Sequence, residues 1–198
     1  MTAAYTGHAV IVMAPTGSGK GTVIKYAQTQ FAELRTTVSC TTRAMRPGEV
    51  EGKEYYFLSR DGFKEKIKAE EFLEWAEFGG NLYGTLKSEI LPPITRGEIV
   101  IAEIEIQGVE QLRTILPTEV MTTVYIESGG WDELRRRALA RASMSNEELE
   151  QRYERYLVEV QTKDWADVVI DNTGDDFTPA CKRFAEFIES LYGAQAKK

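Results

Sequence analysis

At 198 residues the chain is long enough for one α/β domain with a substantial core and short for two independent domains. A formal charge of −7 argues against a nucleic-acid backbone as the main partner, and two cysteines with a single histidine, His8, exclude a disulfide framework and a His/Cys metal cluster. No apolar run approaches the ~20 residues of a membrane span and no segment reads as a secretory leader, so a cytoplasmic location with no membrane partner is expected.

The apolar run Ala9–Met13 reads as a core strand. It leads into Ala14-Pro15-Thr16-Gly17-Ser18-Gly19-Lys20-Gly21-Thr22 and then a helical segment. Strand, glycine-rich loop and helix in that order make a phosphate-binding loop. Gly17 and Gly19 reach backbone angles closed to other residues, so successive N–H groups can converge on phosphate oxygens at a helix N-terminus. Lys20 supplies the charge for the β- and γ-phosphates of a nucleoside triphosphate, and the Thr22 hydroxyl stands where it could help organise phosphate and Mg²⁺. Two positions depart from the general pattern: Ala14 replaces the first glycine, and Gly21 follows the lysine, which displaces the hydroxyl to Thr22.

From about Val38 to Thr95 the rhythm changes to short alternating pieces around Tyr55-Tyr56-Phe57, Phe72–Phe78 and Leu82–Thr85. This predicts an antiparallel insertion with a hairpin turn at Gly79-Gly80-Asn81. The insertion opens on Ser39-Cys40-Thr41-Thr42-Arg43-Ala44-Met45-Arg46-Pro47-Gly48-Glu49. Two forked guanidiniums, with tyrosine hydroxyls nearby, suit capture of a second phosphate, although taken alone the segment reads first as a solvated surface loop. Further on, Ile99–Ile104, Thr122–Ile126 and Val168–Asp171 read as strands of a parallel sheet covered by helices on both faces. Trp131–Ala142 and Asn146–Gln161 read as two helices, the second opened by a capping box of Ser145 and Glu148. Phe63, Phe72, Trp75, Phe78, Phe184 and Phe187 read as core, Cys40 and Cys181 as inert, and Gly193–Lys198 as a frayed tail.

The phosphate loop, the Ser39–Glu49 segment, Glu74-Trp75-Ala76, Asn81-Leu82-Tyr83-Gly84-Thr85 and Ile106-Gln107-Gly108, in that order, resemble guanylate kinase from about His8 to Asn172. The resemblance implies an α/β fold: a P-loop NTPase-type parallel sheet flanked by helices, with a small antiparallel nucleotide-monophosphate-binding insertion and a helical lid. Residues 1–37, 96–130 and 162–198 would form the ATP-binding core, 38–95 the GMP-binding insertion and 131–161 the lid. The implied reaction is Mg²⁺-dependent transfer of the γ-phosphoryl group of ATP to GMP or dGMP. Ala14, Pro15, Thr16, Gly17, Ser18, Gly19, Lys20, Gly21 and Thr22 would hold ATP, with Asn172 beside the adenine. Ser39, Arg43, Arg46, Tyr55 and Tyr83 would hold the GMP phosphate, while Glu74, Thr85 and Glu105 would read guanine. Arg137, Arg141 and Arg152 would close on the phosphates and join Lys20 and Arg43 as catalytic residues, leaving Arg135 and Arg136 as surface.

Guanine offers N1–H and N2–H₂ donors that a carboxylate can accept together, and adenine offers no such pair. Without the surrounding motifs, Glu74 would instead read as an exposed strand charge beside a core Trp75. Glu103-Ile104-Glu105 stands where the family usually has Asp-x-Asp. The strand period places both carboxylates on one face, each one methylene longer, with Glu103 expected near Mg²⁺ through water. Asn172 is preceded by Asp171 rather than an apolar residue and followed by Thr173 rather than Asp. Two other readings are an interaction module of similar fold, which typically lacks the ATP loop, and a kinase of a ribosyl phosphate, which needs no base-reading carboxylate.

Overall fold

The computed structural model of the chain describes residues 5–195, the side chain of Ile106 excepted. In chain order its first half contains β1 (His8–Met13), α1 (Lys20–Gln30), β2 (Arg35–Thr36), β3 (Cys40–Thr41), β4 (Tyr56–Phe57), α2 (Arg60–Lys68), β5 (Phe72–Phe78), β6 (Asn81–Leu86) and α3 (Lys87–Thr95). The second half contains β7 (Ile99–Glu103), α4 (Ile106–Ile115), β8 (Met121–Glu127), α5 (Trp131–Arg141), α6 (Asn146–Glu159), β9 (Val168–Asp171) and α7 (Thr178–Gln195). The strands form a five-stranded parallel sheet, ordered β2-β7-β1-β8-β9, and a four-stranded mixed sheet, ordered β4-β3-β6-β5. Ala9–Met13 and Ile99–Ala102 are almost wholly buried, as the unbroken Val/Ile runs of a sheet covered on both faces require. Among the described residues no helix is long and apolar enough to cross a membrane.

One compact unit consists of the chain through Ala9 together with Arg35–Met121. Its small sheet is antiparallel at β3–β6 and β5–β6, but β4 pairs parallel with β3, with Cys40 opposite Tyr56. The insertion is thus mixed rather than wholly antiparallel. A short hairpin forces an antiparallel return, whereas the long connection through residues 42–55 leaves strand direction free. The β5–β6 hairpin closes on Gly79 and Gly80 alone, with φ of 56° and 74°, the positive values that a two-residue type I′ turn needs. Asn81, expected in the turn, pairs with Phe78 as the first residue of β6. Cys40, Phe63, Phe72 and Leu82 form the core of this sheet, the two phenylalanine rings stacking at 4.3 Å. Burial of each such ring contributes about 2–3 kcal/mol. Trp75, expected in the core, is instead exposed, and Phe78 is half-buried.

The other unit consists of Val10–Leu34 and the chain from Thr122 onward. Here β8 and β9 run parallel, from Val124 opposite Val168 to Glu127 opposite Asp171. Helices α1 and α7 pack together, with Phe31 and Tyr192 rings 5.5 Å apart. Phe184 is core and Phe187 half-buried. Helix α6 begins with the expected capping box: Glu148 N–H donates to Ser145 Oγ at 3.2 Å, and Ser145 N–H donates to Glu148 Oε2 at 2.8 Å. Ser145→Ala is expected to cost about 1 kcal/mol, read as a lower melting temperature. The helix stops at Glu159, two residues before the expected Gln161, and tightens into a 3₁₀ segment over Val160–Trp165. Of the expected frayed tail, Gly193–Gln195 is helical and residues 196–198 lie outside the described residues. Both cysteines are free and buried, and burial pushes the Cys40 thiol up to about 12 and raises that of Cys181, so neither is primed as a thiolate.

Candidate active site

Glu74 lies in β5 opposite Thr85 of β6 and is 6% exposed, whereas Trp75 is 38% exposed. This is the reverse of an exposed charge beside a core tryptophan. A register shift between Phe72 and Glu74 accompanies the inversion. Gly108, in the first turn of α4, makes room for the carboxylate, since a Cβ there would stand 2.3 Å from Glu74 Oε2. One turn further along α4, Gln111 clips the β5 backbone: its Nε2 donates to the Trp75 carbonyl at 2.8 Å and its Oε1 accepts from the Trp75 N–H at 3.2 Å. Glu74 hydrogen-bonds the side chain and main chain of Thr85, and the Thr85 and Ser39 hydroxyls lie 3.4 Å apart. Burial above all, with the nearby Glu105 charge adding to it, pushes the Glu74 carboxyl up to about 7. Glu105 itself is not on the strand: β7 ends at Glu103, and Glu105 is the N-cap of α4. The two carboxylates therefore do not share a strand face as the period predicted, because the chain has already turned into the helix.

The arginine–tyrosine cluster is preassembled. Arg43 forks onto Glu49, with Nη1 donating to Oε2 at 3.0 Å and Nη2 to Oε1 at 2.8 Å. Its guanidinium lies 5.3 Å from the Tyr55 ring centre and 5.7 Å from that of Phe57, and the Tyr55 and Tyr83 rings meet edge-on at 6.1 Å. Glu49 also accepts the Arg46 N–H at 2.7 Å, across a turn that Gly48 permits with φ of 86°. Arg46 joins the cluster through its backbone, its side chain being exposed.

In the other unit, Gly17 and Gly19 have φ of 94° and 90°, and Gly19 is needed a second time because a Cβ would lie 2.6 Å from Asn172 Nδ2. Among the described residues Glu70 is the only non-glycine with positive φ, so alanine is sterically acceptable at position 14. The Ser18 carbonyl accepts from Asn172 Nδ2 at 2.6 Å and Arg137 Nη1 at 3.1 Å. In a trans peptide this turns the Gly19 N–H the opposite way, as an anion-binding loop requires. Lys20 opens α1 and Thr22 is exposed in its first turn. Asn172 is 1% exposed, and among the described residues its Oδ1 has no hydrogen-bond partner. The departures on either side of it answer each other: Asp171 Oδ1 accepts from Thr173 N–H at 2.9 Å and Oγ1 at 2.6 Å, closing a turn around Asn172.

Arg137 is buried, and its remaining donors reach Glu133 Oε1 at 2.7 Å and the carbonyls of Asn172 at 2.8 Å and Gly174 at 2.6 Å. The fork thus holds backbone rather than pointing into solvent. Arg141 is exposed and Arg152 half-buried. Arg135 and Arg136 are exposed, as expected of surface residues, Arg136 pairing with Glu133 and Asp175. Several participants carry no local signal of a role. Glu49 and Gly108 lie within motif segments where nothing local marks their contacts, while Gln111 and Glu159 lie in ordinary amphipathic helices. Glu159 takes both the N–H and the hydroxyl of Thr16.

A loop with two left-handed glycines leading into a helix N-terminus suits a polyphosphate donor. A buried carboxylate tied to Thr85 and Ser39, with an arginine–tyrosine cluster on the same small sheet, suits a base bearing a single phosphate. That division of labour defines a P-loop nucleoside monophosphate kinase. The profile of the guanylate kinase family matches residues 6–191. The chain is 44% identical to the guanylate kinase of Synechococcus elongatus over 79% of its own length and 82% of that protein's. It is 38% identical to that of Rubrobacter xylanophilus over 93% and 95%. The crystal structure of guanylate kinase from Anaplasma phagocytophilum superposes with a TM-score of 0.72 at 25% identity, covering 94% of this chain and 86% of that one. The chain belongs to the guanylate kinase family and has guanylate kinase activity, with ATP and GMP as the substrates the family implies.

Proposed function

We propose that the chain transfers the γ-phosphoryl group of ATP to GMP or dGMP in a Mg²⁺-dependent reaction in the cytoplasm, without a nucleic-acid or membrane partner. Residues 38–95 serve as the acceptor-binding insertion, 131–161 as the lid, and 1–37, 96–130 and 162–198 as the ATP-binding core. The observation that carries this reading is Glu74, a nearly buried carboxylate joined to Thr85. Its two oxygens accept the adjacent N1–H and N2–H₂ donors of guanine, with Thr85 and Glu105 assisting. Arg43, Arg46, Ser39, Tyr55 and Tyr83 hold the acceptor phosphate. The loop Ala14–Thr22 holds the ATP phosphates with Lys20, and Asn172 lies at the adenine.

Phosphoryl transfer asks mainly for alignment and positive charge. Arg141 and Arg152 supply that charge from the lid, and Arg137 acts one step removed, by holding the Ser18 carbonyl of the loop together with the carbonyls of Asn172 and Gly174. Mg²⁺ favours hard oxygen ligands and usually takes one or two from the protein alongside substrate phosphates. The Thr22 hydroxyl, exposed in the first turn of α1, is a donor of that kind in one unit, and the exposed Glu103 carboxylate at the end of β7 is one in the other. When bound, the ion neutralises phosphate charge.

The carboxyl of Glu74 must be ionised to accept both guanine donors. With its pKa at about 7, KM for GMP is expected to climb as pH falls below that value, approaching about tenfold per pH unit. Steady-state kinetics across this range check it. The Glu74→Gln variant should lack this step while keeping the titration of the phosphate itself. The direct test of the function is ADP formation from ATP and Mg²⁺ with GMP, dGMP, AMP, IMP and XMP offered separately. Turnover with GMP or dGMP is expected. Comparable turnover with AMP would remove guanine reading by Glu74, and none with any acceptor would remove the reaction.

A further inference from the structure

Glu159 is the last residue of α6 and is 7% exposed. A buried carboxylate needs hydrogen-bond donors for its oxygens in place of water. Both of its oxygens are spent on one residue of the phosphate loop: Oε2 accepts from the Thr16 N–H at 2.8 Å and Oε1 from the Thr16 hydroxyl at 3.1 Å. Thr16 is itself exposed, so its N–H and hydroxyl could have been satisfied by water. The contact is therefore better explained by what it does to the loop than by a need to satisfy buried donors. Thr16 immediately precedes Gly17, where the chain enters the left-handed region at φ of 94°. Fixing Thr16 at two points sets the direction from which the loop enters that turn, and hence where the following N–H groups aim.

We propose that Glu159 is a positioning residue for ATP: through Thr16 it holds the phosphate loop in its receiving shape and anchors to that loop the C-terminal end of α6, the helix that carries Arg152. Two charge-assisted hydrogen bonds to one residue suffice to select a loop conformation. Arg137 performs the matching task two residues later, on the Ser18 carbonyl. The loop is thus held from α6 by a carboxylate and from α5 by a guanidinium. The proposal rests on the loop being the ATP site.

The test combines calorimetric ATP binding with steady-state kinetics in both substrates for Glu159→Ala, Glu159→Gln, Thr16→Val and the Ala/Val double variant. Glu159→Ala is expected to raise Kd and KM for ATP by about tenfold while KM for GMP moves by less than about twofold. Glu159→Gln keeps an acceptor for the Thr16 N–H, and its amide can donate to the hydroxyl, so it should recover most of the loss. Thr16→Val removes only the hydroxyl contact and should raise the ATP constants by roughly threefold. In the double variant it should add nothing to Glu159→Ala. ATP constants that stay at the wild-type level, or a parallel rise for both substrates, would overturn the proposal, as would a change confined to melting temperature. Should Glu159→Ala not fold, Thr16→Val decides: weaker ATP binding alone supports the proposal, and wild-type binding ends it. If the wild-type chain phosphorylates no acceptor, the kinase reading fails, and the ATP-binding series still judges Glu159 separately.

Discussion

Glu74→Gln is expected to lower kcat/KM for GMP by about two to three orders of magnitude while leaving KM for ATP nearly unchanged. The amide is the same size, so it fits beside Gly108, but it offers one acceptor and one donor. One guanine N–H then faces a donor inside a nearly dry pocket, where an unmet hydrogen bond is most costly. The same amide complements the acceptor–donor edge of adenine, so the ratio of GMP to AMP turnover should fall by more than the GMP rate alone indicates. Stability should move the other way. The carboxyl titrates at about 7 in the folded chain against an ordinary 4.5. Its stabilising contribution is complete below 4.5, where it is protonated folded or unfolded, and is lost as pH rises through 7. At pH 8 the variant is expected to melt at or above the wild-type temperature. A drop in GMP turnover accompanied by a drop in melting temperature would mean that the carboxylate braces the sheet rather than reads the base.

Arg43→Ala is expected to reduce kcat/KM for GMP by about two orders of magnitude or more. Part of the effect is the lost fork, and part is what it leaves behind. Glu49 is bidentate to Arg43 and accepts the Arg46 N–H. Without the guanidinium its carboxylate remains in the cluster as an unpaired negative charge facing an incoming phosphate. Arg43→Ala with Glu49→Gln should therefore recover part of the activity lost in the single variant. Glu49→Gln alone should slow turnover by loosening the aim of Arg43. Arg43→Lys should not rescue, since a single ammonium cannot reproduce the planar fork. Steady-state kinetics over the four variants measures the coupling directly. A double variant as poor as Arg43→Ala would show that Glu49 contributes only packing.

Legibility in the sequence varied element by element, for identifiable reasons. β1, the phosphate loop and α1 were plain because strand, glycines and lysine are contiguous and each acts through local geometry. The capping box at Ser145 was plain for the same reason, its partners lying three residues apart. Helix α3 gave no comparable signal, because Pro92 and Pro93 sit inside it and read as breakers. The parallel pairing of β4 was hidden because a two-residue strand carries almost no periodicity, and its direction depends on how a long loop returns. Glu105 followed the strand pattern of Glu103 by spacing alone, yet the chain turns into α4 between them.

The motif residues Ser39, Arg43, Tyr55, Glu74, Tyr83 and Thr85 were assigned from sequence by their resemblance to a family. Composition and charge alone left Glu74 on the surface. The pleat of β5 put it inside, where Gly108 of a helix more than thirty residues later leaves it space. The chain by itself determined its glycine-rich loop, its strand–helix alternation and the chemical types available to it, since these depend on neighbours in sequence. Only the tertiary structure decided which charges are buried and what each one holds: Glu74 against Thr85, Arg43 against Glu49, Arg137 on the Ser18 carbonyl and Glu159 on Thr16. Most of these pairings join segments distant along the chain, and the six-residue reach from Arg43 to Glu49 crosses a loop with no regular period, so no local pattern encodes them.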